Sequence, residues 1–199
     1  MIGAKVHQPE GELLAFVDRI DSIVQRGGGE VVVTTAVASA LEALIAHGYQ
    51  VPAELSKPDP ARYVLYPLWV DEHRRYSIAA AVWNVGQRTP IHDHQTWGVV
   101  GIVAGAERET RYARDGDGNV REGGTHVLRP GAVEVCCTSD DDIHLVAAEG
   151  DVPCVGIHIY GADIGSVKRQ MFSVGSTETH WFVSHWASVR ESPDIKHAQ

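Results

Sequence analysis

Residues 86–105 read GQRTPIHDHQTWGVVGIVAG, and His92-Asp93-His94 lies at their centre. In an extended strand, side chains two apart share a face and stand roughly 6.5 Å apart. Two imidazoles at that spacing can share one metal ion. Pleating turns Asp93 to the opposite face, which makes it a surface or supporting residue rather than a ligand. A third imidazole must then come from elsewhere in the chain, and a β-rich fold is needed to deliver it.

Working outward, the pattern on both sides is β-like. After a proline-rich connection at 50–61, short apolar runs occupy 63–70, 76–85, 97–103, 107–112, 126–128, 133–137, 143–147 and 155–160. Asp71-Glu72-His73, residues 115–119, Pro130-Gly131 and Glu149-Gly150-Asp151 separate them as turns. About eight strands without intervening helices predict a sandwich, a jelly roll or a small barrel. Before them, Leu13, Leu14, Val17, Ile20 and Val24 repeat at helical spacing within 10–26, and Gly27-Gly28-Gly29 ends that helix. A second helix is expected over 34–47, with Thr34 and Thr35 as N-cap candidates and Gly48 as C-cap. Both helices are expected outside the barrel. The chain is read as one domain, with a helical segment at 10–48, a barrel at 62–186 and a polar tail at 187–199.

Composition narrows the function. At 199 residues with 44% apolar content the chain can bury a sizeable core. Seventeen Lys and Arg against 26 Asp and Glu give a net charge of −9, which speaks against a nucleic-acid or anionic-membrane partner. No run of 18 uninterrupted apolar residues is present, and the N-terminus lacks the order of a signal peptide. The expectation is a cytosolic protein. Cys136, Cys137 and Cys154 form no C-x-x-C pair and are read as buried thiols.

The chemistry-bearing residues are few. His144 is the third candidate ligand, and His158 and Tyr160 repeat the two-residue spacing on an apolar strand. A set of three neutral imidazoles suits Fe, Zn, Cu or Ni. His7, His47, His73, His126, His180, His185 and His197 are read as structural or solvent-exposed. Trp83, Trp97, Trp181 and Trp186 are read as core or rim aromatics.

The spacing resembles the first cupin motif: Gly86, five residues, His92-x-His94, three residues, Gly98, six residues, Gly105. Gly98 stands where that motif normally has Glu. Gly124, five residues, Pro130-Gly131 and then His144 resemble the second motif. With TPIHDHQTWGVVGIVAGAERETRY, CVGIHIYGADIG and the closing WFVSHW, the region 63–186 resembles the bacterial thiol dioxygenases, the cysteine dioxygenase and 3-mercaptopropionate dioxygenase group. The resemblance implies an all-β cupin double-stranded β-helix with the two N-terminal helices outside. It implies Fe(II) held by His92, His94 and His144, and a small thiol carboxylate oxidised by O2 to the sulfinate. It makes His158 and Tyr160 the last two members of a Ser-His-Tyr triad, and Arg169 an anchor for the substrate carboxylate, with Arg62 and Arg88 as alternatives.

Three departures qualify it. Gly156 replaces the Ser of the triad, so the expected partner of His158 is water or backbone. Leu65 stands where cysteine dioxygenases carry Arg and 3-mercaptopropionate dioxygenases Gln. Gly98 removes the cysteine that some relatives cross-link to tyrosine, so no such cofactor is expected. Another metal-dependent cupin enzyme, acting on a carbon substrate or as an isomerase, and a non-catalytic cupin stay open as alternatives.

Overall fold

The computed structural model describes residues 9–137 and 142–188. Two helices, α1 (Gly11–Arg26) and α2 (Glu30–Ala46), precede the strands. The strands are β1 (Val64–Val70), β2 (Ser77–Trp83), β3 (Ile91–His92), β4 (Gly98–Ala104), β5 (Glu107–Arg114), β6 (Val120–Leu128), β7 (Val133–Cys137), β8 (His144–Ala148), β9 (Cys154–Tyr160), β10 (Arg169–Phe172) and β11 (Thr179–Phe182).

One sheet has the order β1-β2-β9-β4-β7, the other β11-β10-β3-β8-β5-β6. All strand pairs are antiparallel. Strands β2 to β9 therefore alternate between two four-stranded halves, β2-β9-β4-β7 and β3-β8-β5-β6, except at the β5–β6 hairpin, which lies within one half. That alternation is a jelly roll, the double-stranded β-helix anticipated above. Strand β1 extends one sheet, and β10 and β11 extend the other.

The first sheet is buried on both faces, and β9, CVGIHIY, is buried at every residue, His158 included. Val155, Ile157 and Ile159 face the helices and pack with Leu13, Ile20, Val37 and Leu41. Cys154 and Tyr160 face the barrel interior with Leu65, Trp83, Val100 and Val146. A Cβ at Gly101 would come within 2.6 Å of Ile45 and 2.7 Å of Leu41, so glycine there lets α2 lie directly on β4. In β5 the alternation is instead polar: Glu107 and Glu109 are buried while Arg108 is exposed. Two carboxylates thus point into the barrel.

The elements differ from the sequence reading in several places. Helix α2 begins at Glu30, so Thr34 and Thr35 are not N-caps. Their hydroxyls donate back to Glu30 O (2.9 Å) and Val31 O (2.7 Å) within the helix. The reading missed this because the apolar run Val31-Val32-Val33 lacks helical alternation, and Val31 and Val32 are indeed exposed. Strand β6 is far longer than the expected 126–128, since its hairpin with β5 takes in residues 121–125, all exposed and with no apolar run to mark them. Strands β10 and β11 were not anticipated. The expected tail at 187–199 falls outside the described residues beyond 188, but Ala187 N donates to Leu65 O at 2.8 Å and so ties down the approach to it. No helix among the described residues is long and apolar enough to cross a membrane.

Candidate functional site

The site forms where the two-residue strand β3 crosses β8. His92 and His144 are directly opposed partners in that ladder, and their ring centroids lie 4.9 Å apart. Thr89 fixes the approach, since its N–H donates to Val146 O (2.8 Å) and its Oγ1 accepts from Val146 N–H (3.0 Å). The chain leaves the strand after His92, and Gln95 takes a left-handed conformation (φ 58°). His94 nevertheless returns to the same side, 4.8 Å from both other rings. One ring nitrogen from each histidine lies within 4.8 Å of the others, and all three side chains are buried.

An oxygen stands behind each ring at Nδ1. Pro90 O is hydrogen-bonded to His92 Nδ1 at 3.0 Å, while Asp142 Oδ2 and Glu109 Oε1 stand 3.4 Å and 3.3 Å from His94 Nδ1 and His144 Nδ1 without hydrogen-bond geometry. A ligating imidazole characteristically gives its outer N–H to a carbonyl or carboxylate, which fixes the tautomer and turns Nε2 to the ion. Among the described residues neither ring nitrogen of His144 has a hydrogen-bond partner, which leaves Nε2 free to face an ion. Burial pushes the imidazolium forms of His92 and His94 well below the ordinary histidine range, and the nearby charges of His144 and Arg169 push the same way. Neutral imidazole is the form that binds a metal. The three residues therefore fit a divalent cation, and the donor set includes no acid. Two carboxylates do stand behind the rings, so the charge of the centre is partly offset from outside the ligand shell.

Asp93 is buried and points away from the rings. Its Oδ1 accepts from Gln170 N–H at 2.7 Å and its Oδ2 from Gln95 Nε2 at 2.6 Å, which fastens β3 to β10. The supporting role expected of it is the one observed.

The same narrow cavity, with about 20 Å³ free at its centre, is bounded by the three histidines, His158, Tyr160 and Arg169. Leu65, Trp83 and Val146 make the wall on the other side apolar. Tyr160 stacks beside His94 with centroids 5.2 Å apart, and its hydroxyl lies 3.0 Å from His158 Nδ1.

Arg169 is 2% exposed, where a solvated surface arginine would be open. Its Nη2 donates to Ser184 Oγ at 2.5 Å, and its guanidinium covers the Phe182 ring at 4.7 Å. Among the described residues no carboxylate pairs with it, and its Nε has no partner. Arg62 and Arg88 are exposed and do not line the cavity.

Several residues here were missed from sequence. Glu109 and Asp142 carry the metal-facing histidines, and Ser184 bridges Arg169 and Tyr63, whose hydroxyl lies 3.1 Å from it. Glu107 Oε2 stands 3.5 Å from His158 Nε2, so a buried carboxylate occupies the place assigned above to water or backbone. The alternation of β5 was the available signal for Glu107 and Glu109. His126 also has partners, Glu134 Oε2 at 2.9 Å and Glu109 Oε2 at 3.8 Å, which lie on other strands. Trp181 is exposed, whereas Trp186 donates to Asp163 Oδ1 at 2.9 Å.

No protein-family model matches the chain. Among solved structures, it is similar to a cupin-family protein with a double-stranded β-helix fold from Methanocaldococcus jannaschii, at 14% identity and a TM-score of 0.42, over 57% of this chain and 88% of that one. A cupin-superfamily protein from Desulfitobacterium hafniense shows 14% identity and a TM-score of 0.43, over 58% and 93%. An oxalate oxidase in complex with the substrate analogue glycolate shows 14% identity and a TM-score of 0.43, over 58% and 61%.

Proposed function

We propose that this protein is an Fe(II)-dependent thiol dioxygenase that converts a small thiol carboxylate and O2 to the sulfinate. The observation that supports this most is Arg169: a buried cation without a carboxylate partner among the described residues, on the wall of the cavity that three imidazole nitrogens face. A buried charge left unpaired costs several kcal/mol. A substrate carboxylate is the group that would complete it.

The overall change balances as RSH + O2 → RSO2H. Sulfur gives up four electrons, the two oxygen atoms take them, and no outside reductant is required. His92, His94 and His144 would hold the iron, which would supply the one-electron chemistry that ground-state O2 demands. Arg169 orients the substrate by its carboxylate, which sets the reach of the sulfur. Leu65, Trp83 and Val146 keep the cavity dry, which strengthens each polar contact inside it. Tyr160 brings a hydroxyl to the reacting atoms and can donate or accept a hydrogen bond there, while His158 holds that hydroxyl in place.

The test is anaerobic loading with Fe(II), then oxygen uptake against thiols of different length and charge, with mass spectrometry of the product. Uptake that requires a thiol carboxylate, with both oxygen atoms recovered in the product, is expected. Uptake only with a carbon substrate, or none from iron-replete protein, defeats the reading.

A further inference from the structure

Position 156 and strand β5 together point to a residue that acts on the site through His158. An ideal Cβ on Gly156 would lie 2.7 Å from His158 Nε2 and 3.0 Å from its Cδ2. The imidazole therefore occupies the space a side chain at 156 would need. A serine there could not reach Nε2 from the side; it would collide with it. The hydrogen-bonding function at Nε2 has to come from another strand.

Glu107 is in position to supply it. It is 1% exposed on the first residue of β5, where alternation turns it into the barrel. Its Oε2 faces His158 Nε2 at 3.5 Å, and among the described residues neither atom has a hydrogen-bond partner. Two buried polar atoms left without partners each cost free energy, and a closing movement of a few tenths of an ångström lets these two satisfy one another. On its other nitrogen, His158 meets the Tyr160 hydroxyl at 3.0 Å. Trp83 lies against the ring with centroids 5.5 Å apart and limits its rotation.

We infer that Glu107 is a positioning residue that replaces the missing hydroxyl of position 156 and forms a Glu107–His158–Tyr160 relay. This rests on the reading that His158 and Tyr160 face the substrate. The carboxylate accepts the Nε2 proton of His158, so the neutral ring presents Nδ1 as acceptor to the Tyr160 hydroxyl. With its proton committed to His158 Nδ1, the Tyr160 hydroxyl presents its oxygen lone pairs to the cavity. A carboxylate that orients and supports a histidine without touching substrate is a familiar arrangement in acid–base sites.

The experiment separates this from the thiol dioxygenase reading by using metal-free protein first. Long-range proton–nitrogen NMR reports which His158 nitrogen carries the proton. Wild type is expected to show the Nε2–H tautomer with a strongly hydrogen-bonded proton. In Glu107→Gln, which keeps shape and an acceptor oxygen, that proton should move upfield because the acceptor has lost its charge. In Glu107→Leu the single tautomer should be lost. With iron and thiol, Glu107→Gln should lower kcat roughly 10- to 100-fold with KM and iron content held within about two-fold. Glu107→Gln also serves if the leucine variant fails to fold. A wild-type Nδ1–H tautomer, or His158 resonances unmoved in Glu107→Gln, overturns the inference. Absence of thiol oxidation by wild type defeats the proposed activity and leaves the NMR result to decide the relay by itself.

Discussion

Arg169→Met separates function from stability at this site more sharply than any other single change. The guanidinium is 2% exposed, and its contacts are Ser184 and the Phe182 ring. Removing them loses about 1.5–3 kcal/mol for a charge-assisted hydrogen bond and about 1–2 kcal/mol for the cation–π contact. Against this, the desolvation penalty of a buried ion, several kcal/mol, disappears, and methionine fills much of the same volume. The sum is close to zero or slightly stabilising. At roughly 2–4 °C per kcal/mol for a chain of this size, the midpoint of the metal-free protein should stay within about 5 °C of wild type or rise. A substrate carboxylate held by two charge-assisted hydrogen bonds loses about 3–5 kcal/mol of binding. That corresponds to a fall in kcat/KM of roughly 200- to 4000-fold, carried mainly by KM. The assay pairs thermal unfolding of metal-free protein with saturation kinetics on the iron-loaded form. A variant with normal KM refutes the anchor. One that is destabilised by more than about 3 kcal/mol, with activity lost in proportion, refutes the account of an unpaired charge held for substrate.

Glu109→Gln should weaken metal binding roughly 10- to 100-fold, read by metal titration, because His144 loses the charged acceptor behind its ring. Burial pushes the Glu109 carboxyl up, but the contact with His144, the charges of His144 and Arg111, and that of His126 together hold it below its ordinary range. Tyr160→Phe should keep its iron and turn over roughly 10- to 1000-fold more slowly; normal turnover would remove the tyrosine from the chemistry. Metal-free protein should lose stability as pH falls. His92 and His94 resist protonation when folded, so below about pH 6.5 the unfolded chain binds protons that the native chain does not. That stability is fully present above the unfolded value and drains away beneath it, at up to about 2.7 kcal/mol per pH unit for the two residues. Chemical denaturation from pH 8 to pH 5 measures the slope, and a flat profile contradicts it.

Much of this was legible before any coordinates. Short apolar runs between turn residues in the region 63–160 read as strands, because a run of this length bounded by turn signals fits a strand buried on both faces. His158 and Tyr160 share a face because strand β9 repeats every two residues, whereas β3 ends at His92 and the backbone turn through Gln95 is what returns His94 to the same side. What the linear chain could not show is which strands cross. Only the fold sets His144 opposite His92 in the β3–β8 ladder, and brings Arg169, in an unforeseen strand, onto the same cavity wall. Glu107, Glu109 and Asp142 are the clearest case. A carboxylate in a strand or connection reads as a solvated side chain, because ionised groups ordinarily stay in water. It turns inward here because histidines from other segments stand beside it. The sequence by itself determined the element types and the spacing of the ligands, which are properties of a local backbone. Tertiary structure alone decided the partners of each buried charge, because pairing energy depends on distances between strands far apart in the chain.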